Sequence, residues 1–410
     1  MTASPAEVRV IVVGGGMVGG AVASLLARSG MAVHLVDERG PVPWDAESPV
    51  GLRVSAISPG SEAILEAAGA WQGVREGRYC AYRRMHVEDG QGRGAVTFEA
   101  ARFGFSHLGT LVENDLVAAS LWAACARAPG LRVHAPGRVS SVLQAEDGVR
   151  AELDSGEVLE ADLLVACDGA RSALRRAVGI DSDAWEYNQR GLVAQVRKTR
   201  PNPGVAWQRF LEGGPLAFLP LADGTSSIVW SLPEPVARER LAEDDEAFRE
   251  QLQAASAGWL GDVEQVGPRA AFPLAMSLGD RYVAGRVVLL GDAAHAIHPL
   301  AGQGVNLGLA DAAGLVESLC GSGLPASRSG WKRRLRHFER WRRSESNLMA
   351  GGVHTLGALF RPAMAAPLRG LGMGLLARSW FAREALLRRA AGQGPNAPRL
   401  ARGESLASLA

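Results

Sequence analysis

Apolar residues along this chain come in short runs cut by glycine-rich turns, and the period of those runs changes with position. Val8–Val13 is rich in β-branched residues and is followed by Gly14-Gly15-Gly16-Met17-Val18-Gly19. A helical stretch, Ala21–Ser29, and a second strand, His34–Val36, come next. This is a strand–helix–strand unit within about 30 residues. The α/β alternation continues with a helix at Ser120–Ala128 and strands at Arg132–Ala135, Gly148–Leu153 and Leu163–Cys167. Between residues 185 and 280 the pattern differs. Gly191–Val196, Ala206–Phe210, Leu216–Leu219 and Ser227–Ser231 read as short strands separated by Gly, Pro and Asp turns, which predicts an antiparallel sheet. The α/β pattern returns at strand Val287–Leu290. A packed helix follows, in which Val305, Leu309, Ala312, Val316 and Leu319 recur at helical spacing. The pattern predicts an α/β nucleotide-binding unit interrupted by an inserted antiparallel β-sheet and followed by a C-terminal helical region.

The composition fits this picture. The chain has 410 residues, 47% apolar and 21% charged, a balance that excludes general disorder. No run approaches the ~18 apolar residues needed to span a bilayer. The start of the chain has no basic-then-apolar leader, so the expectation is a cytoplasmic protein. Cys80, Cys125, Cys167 and Cys320 lie far apart, which argues against a disulfide framework, a zinc site or a dithiol centre. The net charge of +1 conceals an asymmetry. Residues 321–410 hold 16 Lys and Arg against 4 Asp and Glu, while the rest of the chain holds 28 against 39. Only Lys198 and Lys332 are lysines, so a single arginine is weak evidence of a phosphate site.

Three segments carry candidate chemistry. In Gly14-x-Gly16-x-x-Gly19, Gly14 permits the tight turn. Gly16 lets the backbone approach a pyrophosphate, and Gly19 lets helix and strand pack closely. Asp37 ends the second strand at the spacing expected of a ribose acceptor, with Glu38 beside it. The second segment is Leu163–Cys167 with Asp168-Gly169, where Asp168 is either a helix-entry residue or part of a dinucleotide crevice. Cys167 reads as a core residue. The third is Gly291-Asp292 and the glycine-rich stretch to Asn306, which opens a helix whose N-terminus favours negative charge. Asp292 either accepts hydrogen bonds from a ribityl chain or caps its own turn. His295 and His298 read as loop hydrogen-bond partners rather than metal ligands, since no carboxylate or thiol stands at ligand spacing.

These three motifs, in this order around an inserted sheet, resemble the single-component flavoprotein aromatic hydroxylases. Further segments narrow the likeness. They are Leu52-Arg53-Val54-Ser55-Ala56-Ile57-Ser58, Leu111-Val112-Glu113-Asn114, Ala217-Phe218-Leu219-Pro220-Leu221 and His298-Pro299-Leu300-Ala301-Gly302-Gln303-Gly304-Val305-Asn306-Leu307-Gly308. These are similar to the ubiquinone-biosynthesis hydroxylases that act on polyprenyl phenols and benzoquinols, over roughly residues 8–390. Gly51, and Asp115 after Glu113-Asn114, depart from that pattern. Phe105–Gly109 and Ser227–Leu232 resemble the hydroxylase of 2-octaprenylphenol. Gly16–Ala21 and Tyr82–Arg84 resemble the one acting on a methoxylated benzoquinol; the balance leans to the phenol.

The resemblance implies a Rossmann-like FAD-binding domain at 1–75, 101–180 and 281–330. It implies a substrate-binding β-sheet domain at 76–100 and 181–280, and a helical region at 331–410. FAD is the implied cofactor, held by Gly14, Gly16, Gly19, Asp37, Arg53, Asn114, Asp168, Gly291, Asp292, Gly302, Gly304 and Asn306. Pro299 is placed near the reactive edge of the flavin, and His298 near a substrate hydroxyl. In the family's chemistry NAD(P)H reduces the flavin, O2 adds to it, and a flavin hydroperoxide passes one oxygen to an electron-rich ring. No second GxGxxG unit is present, so the reductant is expected to visit the FAD domain transiently. Trp207, Phe218 and Trp230, with Phe210, are candidates to line an apolar substrate pocket or, equally, to fill the core of the sheet. The basic, aromatic-bearing C-terminal segments, Trp331–Arg343 among them, suit peripheral contact with the inner face of the cytoplasmic membrane, a quinone-biosynthesis complex, or packing on the FAD domain. Nucleic acid is disfavoured, because no binding fold accompanies the charge. The competing functions are hydroxylation of a small soluble aromatic and a structural FAD-bearing subunit of a quinone-synthesis complex.

Overall fold

A computed structural model describes residues 8–41, 43–92, 94–297, 303–321, 323–325, 327–360 and 366–409. Strand Arg9–Val13 is inside a six-stranded sheet, paired in parallel with Ala32–Val36 on one side and Leu163–Ala166 on the other. Leu131–His134 and Val287–Leu289 extend that sheet in parallel, and Val283–Ala284 closes its edge antiparallel. Parallel strands need both faces covered, which explains why Val10, Ile11, Val12 and Leu163 through Ala166 are all buried. Helix Met17–Arg28 packs against helix Gly304–Cys320, so the first and last parts of the nucleotide-binding unit meet directly. The neighbours of Arg9–Val13 lead away on opposite sides, and the crevice beyond its C-terminal end is where such sheets bind ligands.

The inserted sheet has eight strands, in the order His295–Ala296, Val263–Gly279, Ser182–Lys198, Ser226–Pro233, Gly214–Pro220, Val205–Leu211, Arg84–Asp89 and Ala95–Glu99. Its pairing is antiparallel except between Val205–Leu211 and Arg84–Asp89, which run parallel. Two strands cross the expected domain boundaries. Tyr79–Tyr82 joins Gly109–Glu113 and Val54–Ile57 in a small separate sheet. His295–Ala296, next to the Gly291-Asp292 turn, pairs with Ser277 and Leu278 of the large sheet. Two helices not expected from the pattern, Glu234–Ala242 and Asp245–Ser256, cover one face of the large sheet. The second is capped by Asp244, which accepts from the Ala247 N–H, and buries Phe248 and Leu252 one turn apart. The C-terminal region forms helices Arg328–Phe360, Ala366–Arg378 and Trp380–Ala390, and Leu400 and Leu409 return to the main core.

Candidate functional site

The glycine-rich turn is set by sterics at two positions and left open at a third. Gly14 adopts φ +101°, and a Cβ there would stand 2.4 Å from the Cys167 carbonyl oxygen. A Cβ on Gly19 would fall 1.7 Å from the Gly14 carbonyl oxygen. Both glycines are therefore demanded by the fold itself. A Cβ on Gly16 would meet nothing within 4 Å. Gly16 is the N-cap of Met17–Arg28, with no side-chain cap and no acid in the first turn. The helix N–H groups thus lack an internal partner where an anion could approach, which suits a pyrophosphate.

Asp37 is firmly tied to this turn. Its Oδ2 accepts from the Gly15 N–H at 2.7 Å, and its Oδ1 accepts from the N–H groups of Arg39 and Gly40. The carboxylate keeps further acceptor capacity, because its two oxygens offer about four lone-pair sites. Glu38 instead stands within 3.7 Å of Arg138 on the exposed surface. Across the crevice, Asp168 does serve as a helix-entry residue, since its Oδ2 accepts from the Leu174 N–H at 3.1 Å. Its Oδ1, however, is buried with no hydrogen-bond partner among the described residues. Such an orphan acceptor beside Gly14 fits a group supplied from outside the chain. Burial, and then the neighbouring carboxylates of Asp168 and Asp311, push the Cys167 thiol well above its ordinary range.

On the other side, Gly291 takes φ +57° and packs against Val18, as does Gly308. Asp292 is exposed at this turn and accepts no hydrogen bond among the described residues. It does not cap the turn. The protein crowded around it pushes its carboxyl up, against the lowering fields of His295 and Arg53. Helix Gly304–Cys320 begins at Gln303 with no side-chain cap and no acid in its first turn, and a Cβ on Gly304 would meet nothing. Asn306 turns its side chain to the scaffold. Its Oδ1 accepts from the Ser58 N–H at 2.9 Å, and its Nδ2 donates to the Ala56 carbonyl at 2.8 Å. Any contact with a flavin ring at this position is therefore left to its backbone. His298, Pro299 and Gly302 lie outside the described residues.

Arg53 and Asn114 meet through their backbones: the Asn114 N–H donates to the Arg53 carbonyl. The Asn114 amide oxygen accepts from Ser55 Oγ at 2.7 Å, which fixes the start of strand Val54–Ile57. Arg53 is exposed, and its guanidinium carbon lies 5.7 Å from the centre of the Phe272 ring. Glu113, which the motif reading left without a role, is buried and holds the Gly51 N–H, Trp44 Nε1 and Arg78 together.

The large sheet corrects the expected substrate pocket. Trp207, Phe218 and Trp230 are buried with Leu192, Ala194 and Val196, and they pack against Trp259 and Phe248 of the covering layer. They are sheet-core residues turned away from the crevice. The opposite face is marked by Gln195, whose amide donates to the carbonyls of Val50 and Gly51. Strand periodicity puts Val193, Ala217, Leu219 and Val229 on that inner face, and all four are only half-buried. Phe272 shares it, as does Phe210, which is out of phase with Trp207. The period-two alternation of Gly214–Pro220 was the available signal for these residues: Leu216, Phe218 and Pro220 are buried, while Pro215, Ala217 and Leu219 are half-buried.

Comparison with known proteins agrees with this geometry. A family described as an FAD binding domain matches residues 7–323. The chain is 38% identical over 323 residues to the 3-demethoxyubiquinol 3-hydroxylase of Escherichia coli (strain K12), covering 78% of this chain and 81% of that protein. It is 35% identical over 402 residues to the ubiquinone hydroxylase UbiL of Rhodospirillum rubrum, covering 97% and 93% of the two chains. The crystal structure of p-nitrophenol 4-monooxygenase PnpA from Pseudomonas putida DLL-E4 shares the fold. Its TM-score is 0.74 at 19% identity, over 95% of this chain and 99% of that one. The cradle, the orphan acceptor and these likenesses together identify the chain as a member of the FAD-dependent hydroxylases of ubiquinone biosynthesis, a flavoprotein monooxygenase with FAD as its cofactor.

Proposed function

We propose that this enzyme hydroxylates the ring of a polyprenylated benzoquinol on the route to ubiquinone, with NAD(P)H and O2 as co-substrates. The 38% identical relative is a 3-demethoxyubiquinol 3-hydroxylase, which moves the balance from the phenol to the quinol. The observation that carries the reading is the position of Arg53: its charge is felt by Asp292 in the crevice, while its guanidinium lies against Phe272 on the inner face of the sheet. Arg53 thus lies within electrostatic reach of the Asp292 turn and close to a ring on the inner face of the sheet.

Bound FAD supplies the redox chemistry and the activated oxygen. The rest falls to this chain's own residues. The open N-terminus at Gly16 would hold the pyrophosphate, and the unpartnered oxygen of Asp168 would accept from a hydroxyl of the cofactor. Asp37 would accept from the ribose hydroxyls, and Asp292 would accept from the ribityl hydroxyls. The uncapped N–H groups at the start of Gly304–Cys320 would stabilise negative charge on the flavin. Val193, Ala217, Leu219 and Val229 offer an apolar inner face that would exclude water and receive an aromatic ring.

The C-terminal helices present a second surface. Leu371, Leu375 and Phe381 are 63%, 61% and 83% exposed, and Arg378 shares the Leu371–Leu375 face one turn further on. This surface suits contact with an anionic bilayer that carries the lipid substrate. No helix among the described residues is long and apolar enough to cross a membrane.

The test is complementation. A bacterial strain deleted for its own quinol hydroxylase and expressing this chain is grown aerobically, and its lipid quinones are read by mass spectrometry. Loss of the demethoxy intermediate and recovery of ubiquinone is the expected result. Persistence of that intermediate while the expressed protein is folded and yellow would overturn the substrate assignment.

A further inference from the structure

Asp311 lies seven residues into helix Gly304–Cys320 and belongs to none of the recognised motifs. It is 0% exposed, and it collects three donors from three separate elements. Its Oδ2 accepts from the Gly291 N–H at 3.2 Å and from His295 Nε2 at 2.5 Å. Its Oδ1 accepts from Arg342 Nε, on helix Arg328–Phe360, at 2.8 Å. His295 and Arg342 are each only 2% exposed. Burying such a group carries a desolvation cost for each ion, and an apolar cluster of equal volume would serve the core as well. The helix also accepts a glycine in its middle to make room: a Cβ on Gly314 would stand 2.9 Å from Arg342 Cδ. Stability alone gives no reason for this arrangement.

Its geometry supplies one. Gly291 begins the turn that carries Asp292, and His295 ends the same short segment. A single carboxylate thus grips both ends of the segment on which Asp292 stands. We infer that Asp311 is a positioning residue for the flavin, aiming Asp292 through the Gly291 amide and the His295 ring. The inference rests on the assignment of Asp292 to the FAD crevice. His295 Nδ1 has no hydrogen-bond partner among the described residues, so Asp311 is the group that orients the ring, with Tyr282 packed 5.7 Å away. Burial works against ionisation of Asp311, but His295 and Arg342 together hold its carboxyl below the ordinary range, so it stays a carboxylate at neutral pH. The field of His295 in turn favours the ionised form of Asp292.

The experiment compares His295→Ala, His295→Gln and Asp311→Asn with the wild type. FAD affinity is measured by fluorescence titration of the apoprotein, and the visible spectrum of the bound flavin is recorded. Glutamine keeps an N–H near the place of Nε2, and alanine does not. His295→Ala and Asp311→Asn should each lose about tenfold or more in FAD affinity, with a changed flavin spectrum. His295→Gln should stay within about threefold of wild type with the native spectrum. If alanine and glutamine behave alike at His295, whether both native or both impaired, the inference is wrong. Should Asp311→Asn not fold, the two His295 variants still decide. Failure of the wild-type protein to bind FAD would instead sink the reading of the crevice.

Discussion

Gly16 and Gly19 are three positions apart and alike in sequence, yet they answer to different constraints. A methyl group on Gly19 collides with the Gly14 carbonyl, whereas one on Gly16 enters open space. Gly16→Val should therefore leave the unfolding free energy of the apoprotein unchanged within about 0.5 kcal/mol, while cutting FAD affinity by about tenfold or more. Gly19→Val should lower the stability of the apoprotein itself. Calorimetry of cofactor-free protein and flavin titration separate the two effects; normal FAD affinity in Gly16→Val would remove the pyrophosphate from this turn. The glycine motif was legible because its spacing states its geometry directly. Asp311 was not, because nothing in its own helix marks an interior acid as the partner of a turn that precedes the helix. Trp207, Phe218 and Trp230 misled for another reason: an aromatic residue suits a pocket and a core equally well, and only the phase of the strand distinguishes them.

One element that the pattern left unattached proves to be fastened by a buried ion pair. Helix Ala366–Arg378 crosses the edge of the large sheet, where a Cβ on Gly94 would stand 3.0 Å from Met373 Sδ. Arg369 anchors it: the buried guanidinium pairs with the buried carboxylate of Asp89 at 2.9 Å and also donates to Gln91. Removing one partner strands the other charge in the interior. Arg369→Ala should cost about 3–5 kcal/mol in urea denaturation, and Asp89→Leu with Arg369→Met should be clearly milder. A loss below about 1 kcal/mol in the single variant would show that this helix is held by its apolar contacts. The basic segment was visible in the sequence as charge. Its attachment was not, because Asp89 and Arg369 are 280 residues apart in the chain. The pair Glu234–Ala242 and Asp245–Ser256 was hidden for a simpler reason, since it interrupts a region whose surrounding strands dominated the pattern.

At the scale of the whole molecule, the layered architecture follows from where the hydrophobic period changes, and for that reason it could be read early. The parallel sheet, the inserted sheet and the helical tail all follow the order of the segments. What could not be read is which strand crosses from one layer to another, because two-residue pairings such as His295–Ala296 leave no periodic trace. The uneven distribution of charge belongs to this scale as well. The protein should co-sediment with phosphatidylglycerol vesicles and much less with phosphatidylcholine vesicles, and added salt should release it. Phe381→Ser with Leu375→Ser should weaken the association without lowering FAD content. Equal pelleting with both lipids, or with neither, would take the bilayer away from this surface.

The direct packing of Met17–Arg28 on Gly304–Cys320 has a consequence for biosynthesis. One wall of the cradle is made before the eight-stranded insertion and the other only after it. A nascent chain cannot trap its coenzyme between them, so loading waits until Gly304–Cys320 has emerged from the ribosome.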